Sequence, residues 1–248
     1  MPPLDCGLLP ASQRDPLPDF VGALSSASPE NEIKRRFALS ARDIMEAYYL
    51  QYRGRCFSIC ALELYVRIYD SKISWFDPYS DGADEQFNRG TWYVMQGRGP
   101  GYQRIDITAG SRADKIQAGL LIRGLDNRDG PALALQSLIG RPQYSRKRWS
   151  DEEAGLICQI HGKRIDGTDG AELKLVQRSV RNTHEFYVAP RIGLRQPKVN
   201  ASENHSYWAA APLRIFNSNI PYSSKVYHGS VTLRSYDEVY GRTQSNVD

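Results

Sequence analysis

The run CALELYVRIY, residues 60–69, constrains the fold more than any other part of the chain. Every second residue is apolar, which is the spacing of a β-strand that turns one face to a core. The residues of that face are Cys60, Leu62, Leu64, Val66 and Ile68. The opposite face carries Ala61, Glu63, Tyr65, Arg67 and Tyr69. A face with a carboxylate, phenols and a guanidinium either meets water, with Glu63 paired to Arg67, or lines a functional site.

The remaining patterns predict several strands joined by short turns, with a few helices. Strand patterns occupy residues 55–69, 91–96, 102–108, 118–125, 171–177, 185–189 and 212–217. Helical patterns occupy residues 40–54, with Ser40 as a cap and Gly54 after the end, and residues 130–140 and 150–160. Runs of strands with interspersed helices predict an α+β domain around an antiparallel sheet.

Length and composition place this domain within the chain. The 248 residues, 41% hydrophobic and 24% charged, are typical of a globular protein. Proline-rich residues 1–30 predict a flexible leader, residues 31–224 the folded domain, and the polar residues 225–248 a C-terminal tail. No stretch approaches the roughly 18 apolar residues of a membrane span, and the N-terminus lacks the features of a signal peptide. We therefore expect an intracellular monomer that is not secreted and has no membrane partner, located in the nucleus or in a bacterial nucleoid or cytoplasm.

The cysteines and histidines predict neither a disulfide nor a metal site. Cys56 and Cys60 would lie about 13 Å apart in an extended strand, too far to form a disulfide. No cysteine or histidine pair has the spacing of zinc ligands. The net charge of +4 permits an acidic partner such as nucleic acid but does not require one.

Arg123 and a group of aromatic residues are candidates for ligand contacts. Arg123 interrupts the apolar strand GLLIRGLD, residues 119–126, and a buried arginine needs either a structural carboxylate or a ligand anion. Trp92, Tyr93 and Tyr102 flank the glycine-rich hairpin QGRGPGY, where aromatic rings either pack on the sheet or stack on bases.

A basic segment, RPQYSRKRW at residues 141–149, is a second candidate surface. Arg146, Lys147 and Arg148 stand between Tyr144 and Trp149. Interleaved cations and aromatic rings suit a surface that follows a phosphate backbone, and they also suit a plain solvated face.

The order of six segments resembles the alkyladenine (methylpurine) DNA glycosylase family over residues 37–222. The segments are Glu63-Leu64-Tyr65, Trp92-Tyr93-Val94, Leu120-Leu121-Ile122-Arg123, the GPALALQSLIG helix, Ala189-Pro190-Arg191-Ile192-Gly193 and Pro212-Leu213-Arg214-Ile215-Phe216. The resemblance implies a single domain around a curved antiparallel β-sheet with flanking helices. It also implies a monofunctional enzyme that needs no cofactor and removes alkylated or deaminated purines from duplex DNA after flipping them out.

The resemblance also assigns roles to residues of the acidic strand and its neighbours. Glu63 would activate the water that attacks the sugar C1′, and Tyr65 would be a wall of the base pocket. Where the family has a second wall, a histidine, this chain has Ser74 in an ungapped alignment and Asp81 in one made through DPYSD. Trp75 or Phe76 would then stack in its place.

Further site residues follow from the same resemblance. Asp106 is nearest to the asparagine that reads the base, and Tyr93 and Arg123 complete the substrate contacts. The expected DNA contacts are the wedge residue Tyr102, the basic residues Arg146, Lys147 and Arg148, and Arg191 of the Pro-Arg-Ile-Gly motif.

Two other functions stay open at this point. A non-catalytic nucleic-acid-binding relative would keep the scaffold and lose the pocket. The C-terminal domain of tRNA formyltransferases shares the broader fold, and a protein of that kind would bind RNA through residues 141–149 with no role for Glu63.

Overall fold

The computed structural model describes residues 15–69, 75–95, 103–140, 150–191, 205–220 and 234–240. Its helices are α1 (Phe20–Leu24), α2 (Pro29–Ala47), α3 (Pro131–Leu138), α4 (Asp151–Ile160), α5 (His205–Ala210) and α6 (Tyr236–Tyr240). Its strands are β1 (Tyr48–Tyr52), β2 (Arg55–Phe57), β3 (Ile59–Ile68), β4 (Arg89–Met95), β5 (Arg104–Ala109), β6 (Ile116–Leu125), β7 (Arg128–Asp129), β8 (Leu173–Gln177), β9 (Phe186–Ala189), β10 (Arg214–Asn217) and β11 (Arg234–Ser235). A 3₁₀ turn spans Asp84–Phe87.

Two antiparallel sheets organise the described part of the chain. The eight-stranded sheet has the order β11-β9-β10-β3-β6-β5-β4, with β7 paired to β6, and the three-stranded sheet has the order β2-β1-β8. The expected α+β class with an antiparallel sheet is confirmed, and the predicted strands occur close to their expected positions. Strand β3 lies in the middle of the larger sheet, because it pairs with β10 on one side and β6 on the other.

Strand β3 is buried along its whole length, which differs from the expected half-buried strand. All ten of its residues are buried. Alternation correctly separated the two faces, but it carries no information about what covers the second one. Glu63 therefore does not meet water.

The first long helix was predicted in the wrong place. Helix α2 begins at Pro29, a residue whose fixed backbone angle suits a first helical turn, and not at Ser40. Its buried stripe includes Ile33, Phe37 and Ala41. The helix ends at Ala47 because the next residues form β1, which pairs with β2 and β8.

The folded unit extends beyond the expected residues 31–224 on both sides. Phe20 of α1 and Tyr236 of α6 are buried in the core, and β11 pairs with β9. Elements this short are too brief for a periodic pattern, which needs a window of about 11–18 residues. None of the helices in the described part combines the length and apolar character that crossing a membrane requires.

Candidate functional site

A row of polar side chains crosses one face of the larger sheet. In the register of this sheet, Arg214 on β10 lies opposite Glu63 on β3, and Glu63 lies opposite Leu121 on β6. Leu121 in turn lies opposite Asp106 on β5, and Asp106 lies opposite Tyr93 on β4. Directly opposed residues in antiparallel strands point to the same face. The register thus brings Glu63, Asp106 and Tyr93 together, although up to 43 positions separate them in the sequence.

Glu63 belongs to a buried cluster of balanced charge. Its Oε1 lies 3.4 Å from Arg123 Nε and 3.9 Å from Arg214 Nε. Asp129 completes the cluster, with Oδ1 3.4 Å from Arg123 Nε and Oδ2 2.9 Å from Arg214 Nη2. Two carboxylates thus face two guanidinium groups, as buried charges require. The desolvation of Arg214 lowers the pKa of its guanidinium in spite of the neighbouring Asp129 and Glu63.

Tyr65 connects this cluster to a cavity. Its hydroxyl donates to Glu63 Oε2 at 2.9 Å, and its ring lines a small cavity with room for about one water molecule. Glu63 lies beside the Tyr65 hydroxyl and does not itself line the cavity. Burial and the charge of Glu63 raise the pKa of Tyr65, so the phenol stays a hydrogen-bond donor.

The cavity combines two aromatic rings with several polar groups. Tyr65 and Tyr79 supply the rings; the polar lining comes from Asp81, Gln86, Arg104 and Asp106. The second ring therefore comes from Tyr79 and not from Trp75 or Phe76. Trp75 packs edge-to-face on Trp208 with ring centroids 5.2 Å apart, and Phe76 lies under the Arg67 guanidinium at 4.7 Å.

Asp106 and Tyr93 occupy the far end of the row. Burial raises the pKa of Asp106 to about 7, although Arg104 opposes the shift. The Tyr93 hydroxyl donates to Asp81 Oδ2 at 3.2 Å. The pKa of Tyr93 is raised to about 12, mainly because the phenol is buried and secondly because of the nearby charge of Asp106. Asp81, predicted from the DPYSD alignment, thus lies in the cavity as a partner of Tyr93.

Arg67 does not pair with Glu63 but holds the loop that carries Tyr79 and Asp81. Its Nε donates to the Asp77 carbonyl at 3.3 Å and its Nη2 to the Ser80 carbonyl at 2.5 Å. Of the two alternatives for this face of β3, the solvated face with Glu63 paired to Arg67 is therefore wrong.

Arg191 is buried behind the cavity and does not lie at a DNA-binding surface. It forms a bidentate pair with Asp77, with distances of 2.5 Å to Oδ2 and 3.0 Å to Oδ1, and both side chains are fully buried. Its guanidinium lies over the rings of Tyr65 and Tyr79, at 4.6 and 5.5 Å from their centroids. The Pro-Arg-Ile-Gly motif therefore supports the walls of the cavity, which corrects the expected DNA contact.

The structure brings together Glu63, Tyr65, Asp81, Tyr93, Asp106 and Arg123 of the predicted site residues. The predicted residues Ser74, Tyr102, Arg146, Lys147 and Arg148 lie outside the described residues.

Sequence reasoning missed several residues of the site. Arg214 interrupts an apolar strand as Arg123 does, so the same signal could have identified it. Gln86, Tyr79 and Asp129 lie in or beside turns, where periodicity gives no signal.

Within the described ranges, no group of three or more histidine, cysteine, aspartate or glutamate residues could hold a metal ion. Cys56, Cys60 and Cys158 are not joined to one another by disulfide bonds. No protein-family model matches the chain, and no curated protein matches it significantly. The case for a function therefore rests on the geometry of the site and on the segment order described above.

Proposed function

We propose that the protein is a monofunctional DNA N-glycosylase of the methylpurine DNA glycosylase fold. Its substrate would be an alkylated or deaminated purine that is flipped out of the duplex. The observation that carries the proposal is the hydrogen bond between Glu63 and Tyr65, where Tyr65 is also a wall of the aromatic cavity. The proposal includes duplex DNA as the partner, a monomeric state and an intracellular location.

Glu63 has the chemistry that the reaction needs. Cleavage of an N-glycosidic bond develops oxocarbenium character on the sugar, which a fixed carboxylate stabilises while it accepts a proton from water. Oε1 faces Arg123 and Arg214, whereas Oε2 accepts from the Tyr65 hydroxyl. The attacking water would therefore replace the Tyr65 hydroxyl at Oε2, so substrate binding has to displace that hydroxyl.

The aromatic walls would hold an extruded base once substrate binding has widened the cavity between them, which now has room for about one water molecule. Extrusion costs a few kcal/mol, which stacking and hydrogen bonds in a pocket offset. Tyr65 and Tyr79 supply the stacking surfaces, and Arg191 behind them restrains both rings.

A non-catalytic nucleic-acid-binding relative is the second candidate. Glu63 is fully buried in a cluster of balanced charge, which is the environment of a structural carboxylate. In such a protein the scaffold would bind nucleic acid and Glu63 would only stabilise the sheet.

A single-turnover base-release assay separates the two candidates. The substrates are duplexes that carry hypoxanthine, ethenoadenine or random methylation, and the variant is Glu63→Gln. Glu46→Gln is the matched control, because Glu46 is also buried and also pairs with two arginines, Arg42 at 3.0 Å and Arg181 at 3.2 Å, but lies on α2.

We expect the wild type and Glu46→Gln to release a base and Glu63→Gln to lose at least about a hundredfold in rate, as is usual for a lost general base. Equal release by Glu63→Gln and the wild type would contradict the role of Glu63. Duplex binding without release by the wild type would favour the non-catalytic candidate.

A further inference from the structure

Asp129 lies in the same buried charge cluster as Glu63 and competes with it for the same two arginines. Arg214 favours Asp129, because its Nη2 donates to Asp129 Oδ2 at 2.9 Å, whereas its Nε lies 3.9 Å from Glu63 Oε1. Arg123 is shared, because its Nε lies 3.4 Å from an oxygen of each carboxylate. Coulomb attraction falls with distance, so Asp129 neutralises the larger part of the Arg214 charge.

The hairpin formed by β6 and β7 fixes Asp129 in this position. Strand β7 pairs with β6, and directly after it the Gly130 amide donates to the Arg123 carbonyl at 2.8 Å. Arg128 donates to the Ser137 hydroxyl of α3 at 2.9 Å, which ties the short strand to a helix. The Asp129 side chain is thereby held at the cluster, and only 5% of it is exposed.

A carboxylate with two arginines to itself would be a poor general base. Opposite charges nearby favour the ionised form of a carboxyl group and disfavour the form that holds a proton. Two guanidinium groups directed at Glu63 alone would therefore weaken its ability to accept a proton from water. Asp129 counters this effect, because it supplies the second negative charge that balances the two arginines.

We propose that Asp129 is a positioning residue, which engages the two arginines and thereby keeps Glu63 a strong enough base to activate water. This inference rests on the proposed function, because it explains how a glutamate between two arginines could perform the step assigned to it. Asp129 does not line the cavity and acts on the reaction only through the arginines.

Other ionisable groups act on Glu63, and the test leaves them unchanged. The Tyr65 hydroxyl donates to Oε2. Asp106 on β5 has a pKa of about 7, which is raised by burial and to a smaller extent by the Glu63 charge. The Arg191 guanidinium interacts electrostatically with Glu63, and Arg67 on the same strand donates to backbone carbonyls of the neighbouring loop.

The test follows the protonation of Glu63 by NMR of isotope-labelled glutamate carboxyl groups over a series of pH values, with Glu63→Gln to assign the signal. The variants are Asp129→Asn, Arg214→Met and the double variant of these two. Asp126→Asn is the matched control. Asp126 belongs to the same hairpin and loses the same charge, but it is exposed and accepts from the Ser58 amide at 2.9 Å.

The two single variants should move the titration midpoint of Glu63 in opposite directions. Asp129→Asn leaves the cluster with one excess positive charge, so the midpoint should fall by at least about one pH unit. Arg214→Met leaves one excess negative charge, so the midpoint should rise by at least about one pH unit. The double variant should lie between them, and Asp126→Asn should match the wild type. If Asp129→Asn is too unstable to measure, the fall from Arg214→Met to the double variant measures the same effect.

Base release by the same proteins tests the glycosylase separately. Asp129→Asn should release the base at least about threefold more slowly than the wild type, because general-base efficiency follows base strength, and its pH–rate curve should move with the NMR midpoint. The role of Asp129 is overturned if both single variants move the midpoint in the same direction, or if neither moves it. The expected midpoints without base release by the wild type would overturn only the glycosylase. Base release with unchanged midpoints would overturn only the positioning role.

Discussion

The buried pair of Asp77 and Arg191 should be one of the most sensitive points of the fold. Asp77→Asn keeps the shape of the side chain but leaves the Arg191 guanidinium, which is fully buried, without a counter-charge. Removing one partner of a buried ion pair costs about 3–5 kcal/mol. Arg191 keeps its bonds to the Leu64 carbonyl at 3.1 Å and the Trp208 carbonyl at 3.3 Å, so we expect the lower end of this range.

Urea unfolding near neutral pH, followed by tryptophan fluorescence, measures this loss. A double-mutant cycle of Asp77→Asn and Arg191→Met isolates the pair, because the double variant has no buried charge at either position. Asparagine can still accept the Tyr79 amide that bonds to Asp77 Oδ1 at 3.0 Å, so the turn is preserved. We expect a coupling free energy of at least about 2 kcal/mol, in the range found for residues in direct contact.

The exposed pair of Arg112 and Asp84 is the matched control. Its N–O distance is 2.8 Å, but the two side chains are 57% and 76% exposed. Asp84→Asn should therefore cost less than about 1 kcal/mol. Equal losses for Asp77→Asn and Asp84→Asn, or a coupling free energy near zero, would refute the argument that burial makes the Asp77–Arg191 pair critical.

Two further predictions concern pH and backbone strain. The pKa of Asp106 rises from 3.8 to about 7 on folding, so the folded state keeps a proton that the unfolded chain has released between these values. The free energy of unfolding should therefore fall by about 2–4 kcal/mol as the pH rises through this window. Urea unfolding at a series of pH values should show this fall to be lost in Asp106→Asn, and a fall of the same size in both proteins would contradict it. In the same assay, Gly82→Ala should lower the free energy of unfolding by at least about 1 kcal/mol more than Gly140→Ala does. Both glycines have positive φ, 64° and 76°, so the backbone strain is similar, but only a Cβ at Gly82 would overlap the Arg67 side chain. Equal costs would show that Arg67 moves aside freely.

Local patterns predicted much of the secondary structure and one part of the site. Alternation identified β3 and placed Glu63 and Tyr65 on one face, and the structure joins these side chains by a hydrogen bond. The same logic identified Arg123 as a buried arginine that needs either a structural carboxylate or a ligand anion, and its partners in the structure are the carboxylates of Glu63 and Asp129. Both successes depend only on the period of a strand and on the cost of burying a charge.

Other features could not be read from local patterns. The start of α2 was missed because Ser40 resembles a cap, and the end of α2 at Ala47 was missed because β1 pairs with β8, about 125 residues later in the sequence. Arg191 was expected at a DNA surface because the family resemblance of its Pro-Arg-Ile-Gly motif implied that role. Its actual partner, Asp77, is 114 positions away in the sequence.

The sequence by itself determined which residues alternate, which strands are apolar and which charged side chains interrupt them, because these properties depend only on near neighbours. Only the tertiary structure decided the register that aligns Arg214, Glu63, Asp106 and Tyr93 across separate strands. It also decided that both faces of β3 are covered and that Gln86 meets Asp106 over Gly119. These features depend on contacts between distant segments, and the free energy of those contacts comes from burial and pairing that no single segment contains.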